Sequence, residues 1–187
     1  MNTTVASANT RGEILRIAAR LIRTRSYLGF SFQDIADAIG IRKPSLYYHF
    51  PSKEALGAEV LTDAADGFRR WAAATPSPPG RKLAAYFDLY RNGLHAGRGV
   101  CPAAAVAAGW DCIDSQLREA VRALRETQIQ WLTEIFSAAN PHGRRRAGER
   151  AAFVFAACQG ALLSARMTGA IGDFDAAIAH LRVHLQE

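Results

Sequence analysis

The sequence lacks most of the features that catalysis, metal binding or a disulfide framework would need. Its three cysteines are an odd number in 187 residues and none lies in a C-x-x-C pair, so they indicate neither a paired framework nor a zinc site. The H-E-x-x-H, P-loop and G-x-G-x-x-G motifs are absent, and no order of Ser, His and Asp suggests a triad. We therefore expect a protein that is not an enzyme and has no cofactor or metal.

Membrane and targeting signals are missing as well. No uninterrupted apolar run reaches the roughly 18 residues that a membrane span needs. Residues 1–13 lack the charged start and apolar core of a signal peptide. Alternating Val and Thr, which would indicate strands, are also few. The sequence predicts a cytoplasmic, all-α protein without a membrane partner.

Positive charge is concentrated near the N-terminus. The net charge is +6, and residues 1–60 carry eight Lys or Arg against five Asp or Glu, while residues 61–187 carry fifteen against twelve. The shorter segment is therefore about twice as basic per residue. This asymmetry favours a nucleic-acid-binding face in the N-terminal third, although an acidic protein partner would also fit it.

Residues 31–53 have the pattern of two short helices joined at a glycine. Ser31 and Asp34 form an S-x-x-D capping box at the start of the first helix. Gly40 follows its last apolar position, where a left-handed residue ends a helix at least steric cost. Pro44 suits the first turn of the second helix, and Ser52 opens a third. This layout predicts a helix-turn-helix. Its expected core positions are Ile35, Ala36, Ile39, Leu46 and Phe50.

The N-terminal segment, about residues 10–61, resembles the DNA-binding domain of the TetR family of bacterial repressors. The resemblance implies an all-α protein with a three-helix DNA-binding head at residues 1–53 and a larger ligand-binding and dimerisation body at residues 54–187. A helix of about 52–74 would link them. It further implies a homodimer, formed through the last two long helices, that binds a palindromic operator and is released by a small, largely apolar ligand. The residues that carry the resemblance are Ser31, Gly40, Tyr47, His49, Phe50, Ser52 and Lys53.

The candidate DNA contacts follow from this assignment. Arg42 and Lys43 are long donors at the tip of the recognition helix, where one of them can fork onto a guanine. Ser45 would reach a base edge or a phosphate, and the tyrosines a phosphate or a thymine methyl group. His49 suits either a backbone contact or packing. The expected set is Ser31, Gln33, Arg42, Lys43, Ser45, Tyr47, Tyr48, His49 and Lys53, with Lys53 as a phosphate clamp.

The rest of the chain is predicted to form helices, which are interrupted by two strong breaks at residues 75–80 and 140–143. Aromatic side chains with a few polar tips are spread over these helices, and together they would suit a pocket for an apolar ligand. For any single residue, an ordinary core position is the more natural interpretation, and the case for a pocket rests on the set as a whole. The expected ligand-binding residues are Tyr86, Phe87, Tyr90, His95, Cys101, Trp110 and Trp131. Outside the helix-turn-helix, the predicted helices cover about residues 11–25, 52–74, 81–95, 102–110, 115–139 and 144–168. A last helix is predicted to start near residue 173.

Two alternatives stay open at this point. Cys101 precedes Pro102 at an expected helix start, where backbone amides would favour a thiolate, and His95 and Arg98 are near it in sequence. The same fold would then act as a cysteine-based electrophile or redox sensor. The other alternative is a helical interaction module whose basic N-terminal part binds a protein instead of DNA.

Overall fold

The structure is a computed structural model that describes residues 2–75, 78–97, 99–139 and 144–186. Within these ranges every regular element is a helix and none is a strand, which confirms the expected all-α class. The helices are α1 (Asn2–Arg25), α2 (Phe32–Ile39), α3 (Lys43–His49), α4 (Lys53–Ala74), α5 (Pro79–His95), α6 (Pro102–Ala107), α7 (Ser115–Ala139), α8 (Arg144–Thr168) and α9 (Ile171–Gln186), with a short 3-10 helix at Trp110–Cys112.

Helix boundaries agree with the sequence prediction except at four places, one of which is the last helix, which begins at Ile171 instead of about residue 173. The first helix begins at Asn2 instead of about residue 11, because the apolar spacing used for the prediction starts only at Ile14. The Ala-rich helix α6 ends at Ala107 and a 3-10 helix follows it. Pro79, expected within a break, already belongs to α5, since a proline is tolerated in the first turn. The predicted breaks themselves fall partly on residues 76–77 and 140–143, which lie outside the described residues.

The chain forms two compact units. The first unit consists of the residues up to Ala64 together with Pro102–Leu124, and the second of Ala65–Cys101 together with the residues from Arg125 onward. Both α4 and α7 begin in the first unit and end in the second. The boundary between these two units does not lie at residue 53. The predicted division into a DNA-binding head (1–53) and a regulatory body (54–187) was a division by function, and it stays a prediction.

The core of the first unit is built on one face of α1. Ile14, Ala18 and Ile22 are completely buried, and their spacing of four places them on the same side of the helix. With this face α1 packs against α2 and α6. The apolar face that the sequence predicts for α1 is therefore the face buried in the core of the first unit.

The core positions expected in α2 and α3 are confirmed with one exception. Leu46 and Phe50 are 0% and 2% exposed, and they hold α3 against its own unit. Ile39, which was expected in the core, is only half-buried. The reason is that α2 ends at Ile39, while Phe32 at its other end is buried and was not predicted.

The second unit is organised around the pairing of α8 and α9, with α5 packed against both. The inward side chains of α8 include Val154 and Cys158, which are completely buried. An ion pair adds to the apolar contact between α5 and α9: the Arg91 guanidinium donates to both carboxylate oxygens of Asp175 at 2.7 and 2.8 Å. These hydrogen bonds lower the pKa of Asp175.

Candidate nucleic-acid interface and ligand site

The predicted capping box fixes the start of α2. The Ser31 hydroxyl accepts from the Asp34 backbone N–H at 3.4 Å, and the Ser31 backbone N–H donates to the Asp34 carboxylate at 2.8 Å. The Ser31 hydroxyl also donates to that carboxylate, and these hydrogen bonds lower the pKa of Asp34. At the other end Gly40 has φ +76°, the left-handed conformation expected of it. Both ends of α2 are thus set by local sequence.

Replacing Ser31 with alanine is expected to destabilise the protein by about 1 kcal/mol, because α2 loses its N-terminal cap. Ser45→Ala is the matched control, since the Ser45 side chain is exposed and caps no helix. Thermal unfolding of both variants measures the difference. Equal melting temperatures for the two would show that the capping box contributes nothing to stability.

Helix α3 presents an exposed polar and aromatic surface. Arg42, Lys43 and Ser45 are exposed, and no side-chain hydrogen bond or ion pair engages Arg42 or Lys43 among the described residues. Tyr47 and Tyr48 are 52% and 83% exposed although both are large aromatic residues. With its apolar side buried, α3 together with its N-cap Arg42 therefore offers two cations, a hydroxyl and two tyrosines to solvent.

The aromatic side chains of this surface are not equally constrained. The Tyr47 ring lies against Phe32 of α2, with 5.1 Å between ring centroids. The Tyr48 ring contacts only the neighbouring His49 among the described rings, at 5.2 Å, and His49 is half-buried. On α2, Gln33 is exposed and its amide donates to Asp37 at 2.7 Å. Of the expected contact residues, Tyr47 is thus held in place by α2.

Lys53 differs from the other expected contact residues. Its ammonium donates to the Phe30 carbonyl oxygen at 2.5 Å and lies 4.5 Å from the ring centroids of Tyr27 and Phe30. Desolvation lowers the pKa of Lys53. The structure thus brings eight of the nine expected DNA contacts to or near the surface of α2 and α3, and turns the ammonium of the ninth inward.

The helix-turn-helix segment matches a known family. Residues 14–60 match the model for bacterial regulatory proteins of the tetR family, and the solved structure of a TetR-family transcriptional regulator from Agrobacterium tumefaciens is similar over 94% of this chain and 96% of that chain, with a TM-score of 0.85 and 26% identity. The N-terminal domain of the chain belongs to the TetR family. A TetR regulator from Legionella pneumophila is also similar, with a TM-score of 0.86 and 25% identity over 92% of this chain and 95% of that one.

The curated relatives match the N-terminal part alone. The HTH-type transcriptional repressor KstR2 of Mycolicibacterium smegmatis is 44% identical over 59 residues, which is 32% of this chain and 29% of the relative. The matched segment is thus under a third of that relative's length. The family model describes bacterial regulatory proteins and this relative is an HTH-type repressor, which agrees with the expectation that the protein is a regulator and not an enzyme.

The expected ligand-binding residues are brought together only in part. In the second unit Tyr86 packs against Tyr90 at 5.2 Å and Trp131 at 6.0 Å between centroids. Phe87 is buried beside Tyr86. Two of the expected residues lie elsewhere: His95 is exposed at the end of α5, and Trp110 belongs to the first unit. There the guanidinium carbons of Arg118 and Arg122 lie 5.6 and 5.3 Å from the Trp110 ring centroid.

A buried polar group that the sequence prediction missed lies within this aromatic cluster. Gln128 of α7 is 2% exposed, and its side-chain oxygen accepts from the hydroxyls of both Tyr86 and Tyr90. The sequence does indicate that Gln128 is buried, because Gln128 continues the spacing of the inward-facing residues Leu117, Val121 and Leu124 along α7. A glutamine at such a position needs hydrogen-bond partners, and the two tyrosines provide them.

Cys101 lies directly before α6 and is 2% exposed. It is within electrostatic range of Tyr90 and of the buried Cys158, whose pKa is raised by desolvation. Arg98, the expected activating neighbour, lies outside the described residues. The burial of Cys101 gives no support to a reaction with a bulky electrophile, and sensing through this thiol stays a prediction. Among the described residues, no group of three or more His, Cys, Asp or Glu is placed so that it could hold a metal ion.

A cleft of about 440 Å³ opens beside the aromatic cluster in the second unit. The rings of Phe68 and Trp131 line it on the apolar side, with 5.6 Å between their centroids. Its polar lining includes Arg69, Lys82 and Glu134. The cleft therefore combines flat aromatic surface with charges of both signs, and it is more polar than the sequence led us to expect.

Proposed function

We propose that this chain is a transcriptional repressor that acts in the cytoplasm as a homodimer on a palindromic DNA operator. The observation that carries this proposal is the exposed surface of α3 and its N-cap, where Arg42 and Lys43 have no side-chain partner among the described residues and two tyrosines face solvent. One recognition helix of seven residues covers few base pairs. Two of them, related by a two-fold axis and one DNA turn apart, would read a palindrome.

Support for the homodimer comes from a second apolar stripe on α8. Phe153, Leu163 and Met167 are 54%, 49% and 75% exposed, and with the small Ala156 and Gly160 they recur at steps of three and four on one side of the helix. Small residues allow helices to approach closely. A second copy of this chain is the occupant we propose for the stripe.

The hydropathy of α8 supports the same interpretation. By length and composition alone, Arg146–Thr168 is apolar enough to cross a membrane, with a mean hydropathy of 1.3 in its 18-residue window, yet only 33% of that window is buried within the chain. The helix thus carries more apolar surface than its own unit covers. Val183 on α9, 58% exposed, adds to this surface.

We further propose that a small ligand in the body releases the operator. The aromatic cluster around Trp131 would bind its apolar part, and the charged side chains of the neighbouring cleft would bind a polar end. The ligand must favour the conformation that does not bind DNA. A differential binding free energy of about 3 kcal/mol would lower operator affinity roughly 150-fold.

Separate replacement of Arg42 and Lys43 by alanine tests the DNA-binding part of the proposal. We expect each variant to lose about 1–3 kcal/mol of operator binding, roughly 5- to 150-fold, and at least one to accept other bases at one operator position. Arg81→Ala is the control of equal charge change, since Arg81 is exposed in the second unit. Fluorescence anisotropy with the operator and its single-base variants provides the measurement. If all three variants bind as the wild type does, α3 is not the DNA-reading element.

A further inference from the structure

The cleft beside the aromatic cluster of the second unit contains two side chains of opposite charge without partners. Lys82 near the start of α5 is half-buried, Glu134 of α7 is exposed, and both line the cleft of about 440 Å³. Among the described residues, no hydrogen bond or ion pair engages either side chain. The cleft therefore offers one cation and one anion to a ligand that enters it.

The other charged side chain described in the lining, Arg69, is already engaged. Its guanidinium donates to the Asp66 carboxylate at 2.6 Å and to the Thr127 hydroxyl at 3.1 Å. Asp66 thus supplies the opposite charge that Arg69 needs. A ligand therefore meets Lys82 and Glu134 as the charges that are open to a new ion pair.

Aromatic rings form the apolar wall of the same cleft. Trp131 lies three residues before Glu134 on one side of α7 and is half-buried. Its ring packs against Phe68 at 5.6 Å and against Trp71 at 5.2 Å between centroids. Because these neighbours hold the Trp131 ring, its uncovered part is a fixed surface against which a second ring can pack. The cleft therefore suits an aromatic ring that carries charged substituents.

The two unpartnered charges restrict the class of ligand further. An aromatic cation would pair with Glu134 but would bring its charge close to Lys82, and an aromatic anion would have the opposite fault. A neutral ring would exclude water from both ions and give neither a partner, which is unfavourable. Only a ligand with charges of both signs gives each side chain an opposite charge.

We propose that the cleft binds a small aromatic zwitterion, of which the aromatic amino acids are the simplest examples. The ligand carboxylate pairs with the Lys82 ammonium, the ligand ammonium pairs with the Glu134 carboxylate, and the ring packs on Trp131. Tyr86 packs on Trp131 at 6.0 Å and donates to the buried Gln128 at 3.1 Å, so the bound ring borders the hydrogen bonds of the core. This inference rests on the proposed function in taking the ligand as the effector that releases the operator.

Three compounds with the same ring and different charges test the proposal on the wild-type protein. Phenylalanine carries both charges, phenethylamine lacks the carboxylate, and hydrocinnamate lacks the ammonium. Tryptophan fluorescence follows each titration, since none of the three compounds contains an indole. We expect phenylalanine to bind about tenfold more tightly than either analogue, because each analogue loses one charge-assisted hydrogen bond. Equal affinities for the three compounds, or no saturable binding of phenylalanine, would overturn the proposal.

The variants Lys82→Met and Glu134→Gln assign each charge of the ligand to one side chain. Lys82→Met should weaken phenylalanine binding about tenfold without weakening that of phenethylamine, and Glu134→Gln should weaken phenylalanine binding equally without weakening that of hydrocinnamate. The matched controls are Arg81→Met and Glu126→Gln, which make the same charge changes at exposed positions outside the lining. Controls that weaken phenylalanine binding as much as the two cleft variants do would contradict the assignment.

These titrations contain no DNA, so they separate this inference from the proposed function. If phenylalanine binds with the expected charge dependence and operator affinity stays unchanged, the site stands and release of the operator through it fails. If a neutral apolar compound releases the operator while phenylalanine does not bind, the proposed function stands and this inference is wrong.

Discussion

Replacing Leu163 and Met167 together with glutamate is expected to convert the proposed homodimer into monomers. Four like charges would then face each other across the two-fold axis in a low-dielectric interface, where unpaired charges are strongly unfavourable. Both side chains are about half exposed or more in the single chain, so each monomer should keep its helical content. Because the proposed palindromic operator is read by two recognition helices, the affinity for it should fall by roughly 1,000-fold or more, an expected loss of about 4 kcal/mol.

Analytical ultracentrifugation and operator binding measure the two effects of this double variant. The matched control carries Gln116→Glu and Ala138→Glu, two exposed positions on α7 that add the same negative charge. The control should remain a dimer and lose only the electrostatic part of its DNA affinity. A double variant that is still dimeric would place the interface elsewhere than on the α8 stripe.

Gly29→Ala is expected to destabilise the protein by about 3 kcal/mol, at the upper end of the cost of overpacking. An added Cβ would lie 2.0 Å from the carbonyl oxygen of Arg25 and 3.0 Å from its carbonyl carbon. Both atoms belong to the backbone, so the turn between α1 and α2 must move. For a chain of this size we expect a melting temperature lower by roughly 6–12 °C.

The control for this variant is Gly12→Ala within α1. A Cβ at Gly12 would have no neighbour within 4 Å, and alanine is preferred to glycine in a helix by about 1 kcal/mol. Gly12→Ala should therefore raise the melting temperature slightly while Gly29→Ala lowers it. A Gly29→Ala variant as stable as the wild type would show that the turn adjusts without cost.

The sequence predicted the features that depend on residues close together in the chain. The capping box of Ser31 and Asp34, the left-handed Gly40 and the buried positions Leu46 and Phe50 all follow from spacing within a few residues. Such rules hold because capping and helix periodicity are local. The helix-turn-helix and the family resemblance were predictable for the same reason.

The features that sequence analysis missed depend on contacts between distant segments. Lys53 reaches a carbonyl 23 residues earlier in the chain, and Tyr86 reaches Gln128 across 42 residues. Trp110 was grouped with the ligand-binding residues of α5, yet its segment belongs to the first unit. No periodicity in the sequence states which helices will be neighbours, so side-chain partners of this kind appear only in the structure.

The proposed function requires that α3 reads a specific DNA sequence from the surface of a dimer. Selection of genomic DNA fragments by the purified wild-type protein, repeated at low and at physiological salt, is the experiment that tests this requirement. We expect one palindromic sequence to survive at the higher salt, because base contacts persist where purely electrostatic binding is weakened. Binding that spreads over all sequences and disappears with salt would contradict the claim and would leave only a basic surface suited to a protein partner.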